Sequence, residues 1–128
     1  MNKIDFSNIK SIGLDFDGTV VEESFPDIGI ITEKHMKVIK FVWEAHLLGV
    51  DIVLNTCRED TDKRKYLSEA LAFCTRHSIP LDYVNEYPKI KVDGIHSRKI
   101  CVDLYIDTKS INMDFFDWLY IIKLILLY

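Results

Sequence analysis

Cysteine is scarce in this chain of 128 residues: Cys57, Cys74 and Cys101 are the only three, and no two form a CxxC pair. That excludes a disulfide scaffold and a zinc-ribbon site, and it leaves reduced thiols in a cytoplasmic setting, each a small buried hydrophobe. An excess of positive charge is also missing. Sixteen Lys and Arg face twenty Asp and Glu, a net charge of −4, so there is no strong nucleic-acid or anionic-membrane signal. No apolar run reaches the roughly 20 residues needed to span a bilayer. The most apolar stretch, Phe115 to Tyr128, is interrupted by Asp117 and Lys123. It reads as a buried C-terminal helix, with a homo-oligomer seam or interfacial membrane contact as the alternatives. Polar and acidic residues in Met1-Asn2-Lys3-Ile4-Asp5 argue against a secretory leader. There is no internal repeat, low-complexity tract or linker, so residues 1–128 are expected to form a single domain.

What is present is the composition of a globular protein, 48% hydrophobic and 28% charged. Ile9 to Phe16 is a nearly continuous apolar run, as in a strand covered on both faces. Gly18 to Ile31, with Pro26, reads as a loop or small flap. Thr32 suits the N-cap of a helix from Glu33 to Leu48, in which Met36, Ile39, Val42, Trp43 and Leu47 recur at helical spacing before Gly49 ends it. A second strand spans Val50 to Asn55. Asp60 or Thr61 is placed to cap a helix reaching about His77, and Ser78-Ile79-Pro80 stops it. Leu81 to Val84 is a short third strand, Asn85 to Arg98 a loop, Lys99 to Ile106 a fourth strand, and a last helix starts near Ser110. Alternating strands and helices predict an α/β fold: a Rossmann-like three-layer α/β/α arrangement around a mostly parallel sheet. Ligands in such folds sit beyond the carboxyl ends of the strands. The residues with chemistry do fall there: Asp15 and Asp17 after the first strand, Thr56 and Arg58 after the second, Asp107 after the fourth.

The most specific stretch is Ile12-Gly13-Leu14-Asp15-Phe16-Asp17-Gly18-Thr19-Val20. Strand alternation sends Asp15 and Asp17 one way and Phe16 the other, towards packing. Two carboxylates so close repel unless something binds them, and a hard cation such as Mg²⁺ takes oxygen ligands of this kind. Gly18 allows a sharp turn beside a ligand.

Asp15-Phe16-Asp17-Gly18-Thr19-Val20 resembles the first motif, DxDGTx, of the haloacid dehalogenase (HAD)-like superfamily, most of whose members are Mg²⁺-dependent phosphatases. The resemblance extends in order along the chain. Thr56, in Val53-Leu54-Asn55-Thr56-Cys57-Arg58, matches the Thr or Ser of the second motif, which implies a hydrogen bond from its hydroxyl to a phosphoryl oxygen. Arg58 either adds a bidentate phosphate contact or pairs with an acid such as Glu59. Lys99, in Ser97-Arg98-Lys99-Ile100, is the best match for the lysine of the third motif, with Lys89, Lys91 and Arg98 competing. Asp107, after Leu104-Tyr105-Ile106, matches the acid of the fourth. Thr108 stands where a second acid is common, which is a departure from the family pattern. Asp103 makes a superficial Asp-x₃-Asp pair with Asp107, but four strand residues span about 13 Å, too far to share one metal.

The resemblance implies a division of labour. An aspartate approaching a phosphate dianion meets a repulsion on the order of 9 kcal/mol at an effective dielectric of about 20. Mg²⁺ held by Asp15, Asp107 and the main-chain carbonyl of Asp17, together with Lys99, would offset it. Asp15 would be the nucleophile, forming an aspartyl-phosphate, and Asp17 the general acid and then the base. Neither interval between motifs holds an inserted domain, so the expectation is a HAD-like core without a cap domain acting on a phosphorylated substrate. The basic loop with Lys89, Lys91, His96, Arg98 and Lys99 either attracts that substrate or is simply solvated. The alternative reading is a catalytically weak HAD-like protein that binds a phosphate group or a partner.

Overall fold

The structure, a computed structural model, describes residues 9–89 and 100–107. Its centre is a four-stranded sheet in the order β3-β2-β1-β4, made of β1 (Ser11–Leu14), β2 (Asp51–Leu54), β3 (Tyr83–Val84) and β4 (Leu104–Ile106). All three pairings are parallel, with Leu14 level with Leu54 on one side and with Ile106 on the other. Helix α1 (Glu33–Leu47) joins β1 to β2, and α2 (Tyr66–Arg76) joins β2 to β3. This is the Rossmann-like α/β fold that alternating elements require. The order moves outward from β1 through β2 to β3, then returns to β4 on the other side of β1. The carboxyl end of β1 is therefore a point where strand order reverses, the usual place for a ligand crevice.

Alternation along each strand sorts the side chains into two faces. Ile12, Leu14, Ile52, Leu54 and Ile106 point one way and pack with Val38, Ile39, Phe41, Val42 and Ala45 of α1 and Ala70, Phe73 and Cys74 of α2. Val53 points the other way, towards Tyr87, Ile100, Tyr83, Val102 and Tyr105. Both described helices thus cover the same face. The expected C-terminal helix, and with it the expected third layer, lies outside the described residues. No helix among the described residues is long and apolar enough to cross a membrane.

Helix α1 has the expected extent, but a different face is buried. Met36, Trp43 and Leu47 stay exposed, while His35, Val38, Phe41 and Ala45 turn inward with Ile39 and Val42. The described strands are shorter than expected: β3 starts at Tyr83 instead of Leu81, and β4 at Leu104 instead of Lys99. Helix α2 starts at Tyr66, later than a cap at Asp60 or Thr61 would set it. Thr61 instead closes a turn with Arg64, its Oγ1 accepting the Arg64 N–H at 3.1 Å. Asp60 still serves the helix from a distance, accepting the Ser68 N–H at 2.9 Å and the Ser68 hydroxyl, so one free amide of the first turn is satisfied by a residue well outside it.

Candidate active site

Beyond Leu14 the β1 ladder runs on for one more bond, the Asp15 N–H donating to the Ile106 carbonyl at 3.0 Å. That bond places Asp15 beside the start of the Ile106–Asp107 segment. The Asp15 carboxyl is pushed up to about 6, first by burial and then by the negative charge of Asp107; Asp17 adds a smaller push. The Phe16 amide and the Thr19 hydroxyl, whose Oγ1 lies 3.5 Å from Asp15 Oδ2, pull the other way. Two acids are thus crowded at the carboxyl ends of neighbouring strands.

The chain then turns back. Thr19 and Val20 N–H groups donate to the Phe16 carbonyl at 3.1 and 2.9 Å, and Gly18 takes the left-handed φ of 84° that this turn requires. Phe16 is fully buried and meets Phe73 edge-on, with ring centroids 5.9 Å apart. β1 ends at Leu14, so Asp15 and Asp17 both lie just beyond the regular strand. Asp17 is close enough to raise Asp15, yet its own partner is elsewhere.

That partner is Arg58. Its Nε and Nη2 donate to Asp17 Oδ2 and Oδ1, both at 2.8 Å, a bidentate pair whose arginine side chain is 1% exposed. Its remaining donors go to main-chain carbonyls: Nη2 to Asp27 at 2.9 Å, Nη1 to Tyr66 at 3.3 Å and to Pro26 at 3.4 Å. A guanidinium has five N–H donors, and all five are committed. The expected Arg58–phosphate contact is therefore corrected: this arginine is an internal ion-pair partner, and its acid is Asp17, not Glu59. No spacing in the chain marks a pair 41 residues apart.

Thr56 sits two residues past β2, half-buried, with its N–H donating to Asn85 Oδ1 at 2.9 Å. Its Oγ1 accepts the Arg58 N–H at 3.1 Å, which orients the hydroxyl and leaves its O–H as a donor. Cys57 is exposed beside it, and Cys57, Cys74 and Cys101 are all free thiols. Lys99, the expected third-motif lysine, and Thr108 lie outside the described residues, as do Lys91, His96 and Arg98. Lys89 pairs with Asp51 at 2.8 Å, at the opposite end of β2.

His35 is a further residue at the site, one the sequence reading passed over. At 5% exposure it is buried, and its Nδ1 accepts the Thr32 N–H at 3.1 Å and lies 2.8 Å from Thr32 Oγ1. Its ring also hydrogen-bonds the backbone of Gly18. Burial, with Lys34 nearby, lowers its pKa and favours the neutral imidazole that this bonding needs. The signal was present as a capping box with His in place of the usual Glu or Gln, three residues after Thr32.

Among the described residues no three His, Cys, Asp or Glu side chains gather into a metal-binding group. A cation here would rest on the two crowded carboxylates, Asp15 and Asp107, completed by main-chain oxygen and solvent. Mg²⁺ is commonly held by one or two carboxylates with several waters retained. The donor chemistry therefore fits.

A conserved protein from Bacteroides thetaiotaomicron has a similar structure, with a TM-score of 0.70 and 28% sequence identity, covering 92% of this chain and 90% of that one. No protein-family model and no curated protein matches the chain. The comparison supports the α/β fold.

Proposed function

We propose that this protein is a Mg²⁺-dependent phosphomonoester hydrolase working through an aspartyl-phosphate on Asp15. The observation that carries this reading is the crowding of Asp15 against Asp107 at the carboxyl ends of adjacent parallel strands, which raises Asp15 to about 6. A pair of acids forced together at strand ends is suited to a cation and an electrophile. When bound, Mg²⁺ would neutralise that crowding and polarise a phosphoryl oxygen.

The residues of the chain would act as follows. An Asp15 oxygen attacks phosphorus, the bond from phosphorus to the alcohol oxygen breaks, and the departing oxygen takes a proton. Thr56 donates its O–H to a phosphoryl oxygen, with Lys99 supplying positive charge by resemblance to the third motif. Water then attacks the phosphorus of the acyl phosphate, releasing inorganic phosphate and restoring Asp15. Asp17 is the acid and base of this scheme, and it must first leave its bidentate contact, because both of its oxygens are engaged by Arg58. The core and these roles follow the HAD-like pattern without a cap domain.

The Asp17–Arg58 pair also favours a second reading, a catalytically weak protein that binds a phosphate group or a partner. Hydrolysis of p-nitrophenyl phosphate with and without Mg²⁺, with Asp15→Asn as control, separates the two. Mg²⁺-dependent turnover abolished by Asp15→Asn is the expected result. Turnover that survives Asp15→Asn sinks the nucleophile, and binding of phosphate without turnover of any monoester favours the second reading.

A further inference from the structure

We infer that Arg58 is a positioning residue that couples the flap at residues 22–31 to the Asp17 carboxylate, so that flap and carboxylate are held or released together. The catalytic meaning of this coupling rests on the phosphatase reading; the coupling itself does not.

Three segments meet on the one guanidinium. Asp17 comes from the turn after β1, the Pro26 and Asp27 carbonyls from the flap, and the Tyr66 carbonyl from the start of α2. Two aromatic rings lie against it as well: the guanidinium carbon is 5.3 Å from the Phe16 ring centroid and 5.0 Å from that of Phe25. Phe16 belongs to the core, whereas Phe25 is a flap residue, 53% exposed, leaning on Tyr66 with centroids 5.6 Å apart. Arg58 therefore meets one ring of the core and one ring of the flap.

The flap is a closed unit in its own right. The Glu22 N–H donates to the Ile30 carbonyl at 2.8 Å and the Asp27 N–H to the Ser24 carbonyl at 2.9 Å. Gly29 lies so close to the Glu22 carbonyl that an added Cβ would sit 1.8 Å from its oxygen. A second arginine grips the same corner, Arg64 Nη2 reaching Asp27 Oδ1 at 3.1 Å and its Nε reaching Glu69 Oε2 at 2.8 Å.

Coupling follows from the cost of a buried charge. Removing the carboxylate from a buried pair leaves an uncompensated ion, which is strongly unfavourable. Asp17 can therefore turn away from Arg58 only if water or another anion reaches the guanidinium, and the flap is what stands in the way. Linkage is reciprocal: if moving the flap loosens Asp17, loosening Asp17 must also loosen the flap.

Hydrogen–deuterium exchange on the full chain tests this. Asp17→Asn is expected to raise exchange at the Glu22 and Asp27 amides at least about threefold, and Arg58→Lys about tenfold, while the amides of Phe73 in α2 and of His77 at its C-cap hold. Phe25→Ala, at an exposed position, gives a flap-side probe if Arg58→Lys does not fold. Unchanged flap exchange in Asp17→Asn overturns the coupling, and so does an equal rise in α2, which would mean general loosening. Turnover reads the catalytic role. p-Nitrophenolate leaves without a proton whereas an alkoxide does not, so Arg58→Lys should change kcat on an alkyl phosphate at least about tenfold more than on p-nitrophenyl phosphate. Equal changes on both substrates overturn the positioning role. A wild-type chain that hydrolyses neither removes the phosphatase reading, and the exchange data still decide the coupling.

Discussion

The two ends of the sheet use the same residue type for opposite purposes. At the amino end, each of β2, β3 and β4 has an aspartate at or just before its first residue, and each is satisfied. Asp103 accepts the Lys10 N–H at 2.8 Å and the Ser11 N–H and hydroxyl, both at 3.2 Å. Asp82 accepts the Ile52 N–H at 2.8 Å, and Asp51 takes the Tyr87 hydroxyl and the Lys89 ammonium, both at 2.8 Å. At the carboxyl end Asp15 is buried against the charge of Asp107 and driven up to about 6. Strand amides at the amino end are donors awaiting acceptors; at the carboxyl end carbonyls point outward and offer a carboxylate nothing. An acid placed with the amides fastens the sheet, whereas Asp15 at the other end is crowded by a second acid.

The comparison breaks most sharply at Asp15. Asp15→Asn is expected to lower Mg²⁺-dependent turnover by about 10³-fold or more, while the thermal midpoint without metal holds or rises, because a crowded charge is gone. A fall in that midpoint would show that Asp15 is structural. Asp107→Asn should weaken Mg²⁺ by about tenfold or more in a calorimetric titration, since ligand charge sets affinity at such sites; unchanged affinity would remove Asp107 from the site.

At the other end the effects should be on stability alone. Asp103→Ala loses a carboxylate holding two amides and a hydroxyl, an expected cost of about 2 kcal/mol in denaturant unfolding, with turnover of the folded protein preserved. A matching loss of turnover would contradict the division between the ends. The smallest effect is expected at Asp51, whose carboxyl is held below its ordinary 3.8, chiefly by the bond from Lys89. A depressed carboxyl contributes stability that is present above that value and lost as pH falls through the folded one. Lys89→Met should therefore melt about 1–2 °C below wild type at pH 7, and the gap should close on acidification below pH 3.8. A gap that persists in acid would mean that the lysine acts through something other than Asp51.

Much of this was legible along the chain because it depends on neighbours. The DxDGT turn, the extent of α1 and the placing of Asp15, Thr56 and Asp107 after strands follow from apolar runs punctuated by Gly, Thr and Pro. The buried face of α1 was less legible, since Met36, Trp43 and Leu47 are as apolar as the residues that turned inward. The start of α2 was missed because Asp60 caps at a distance, across the Thr61–Arg64 turn.

The sequence by itself determined the alternation of strand and helix, hence a parallel sheet, and the motif that puts acids at its carboxyl end. Periodicity and turn chemistry act over a few residues and can be read there. Only the tertiary structure decided that Arg58 belongs to Asp17 and to the carbonyls of a flap, that Asp103 fastens the amino end, and that His35 ties α1 to Gly18. Those choices join residues far apart in the chain, where each polar group takes whichever partner the packed elements bring within reach.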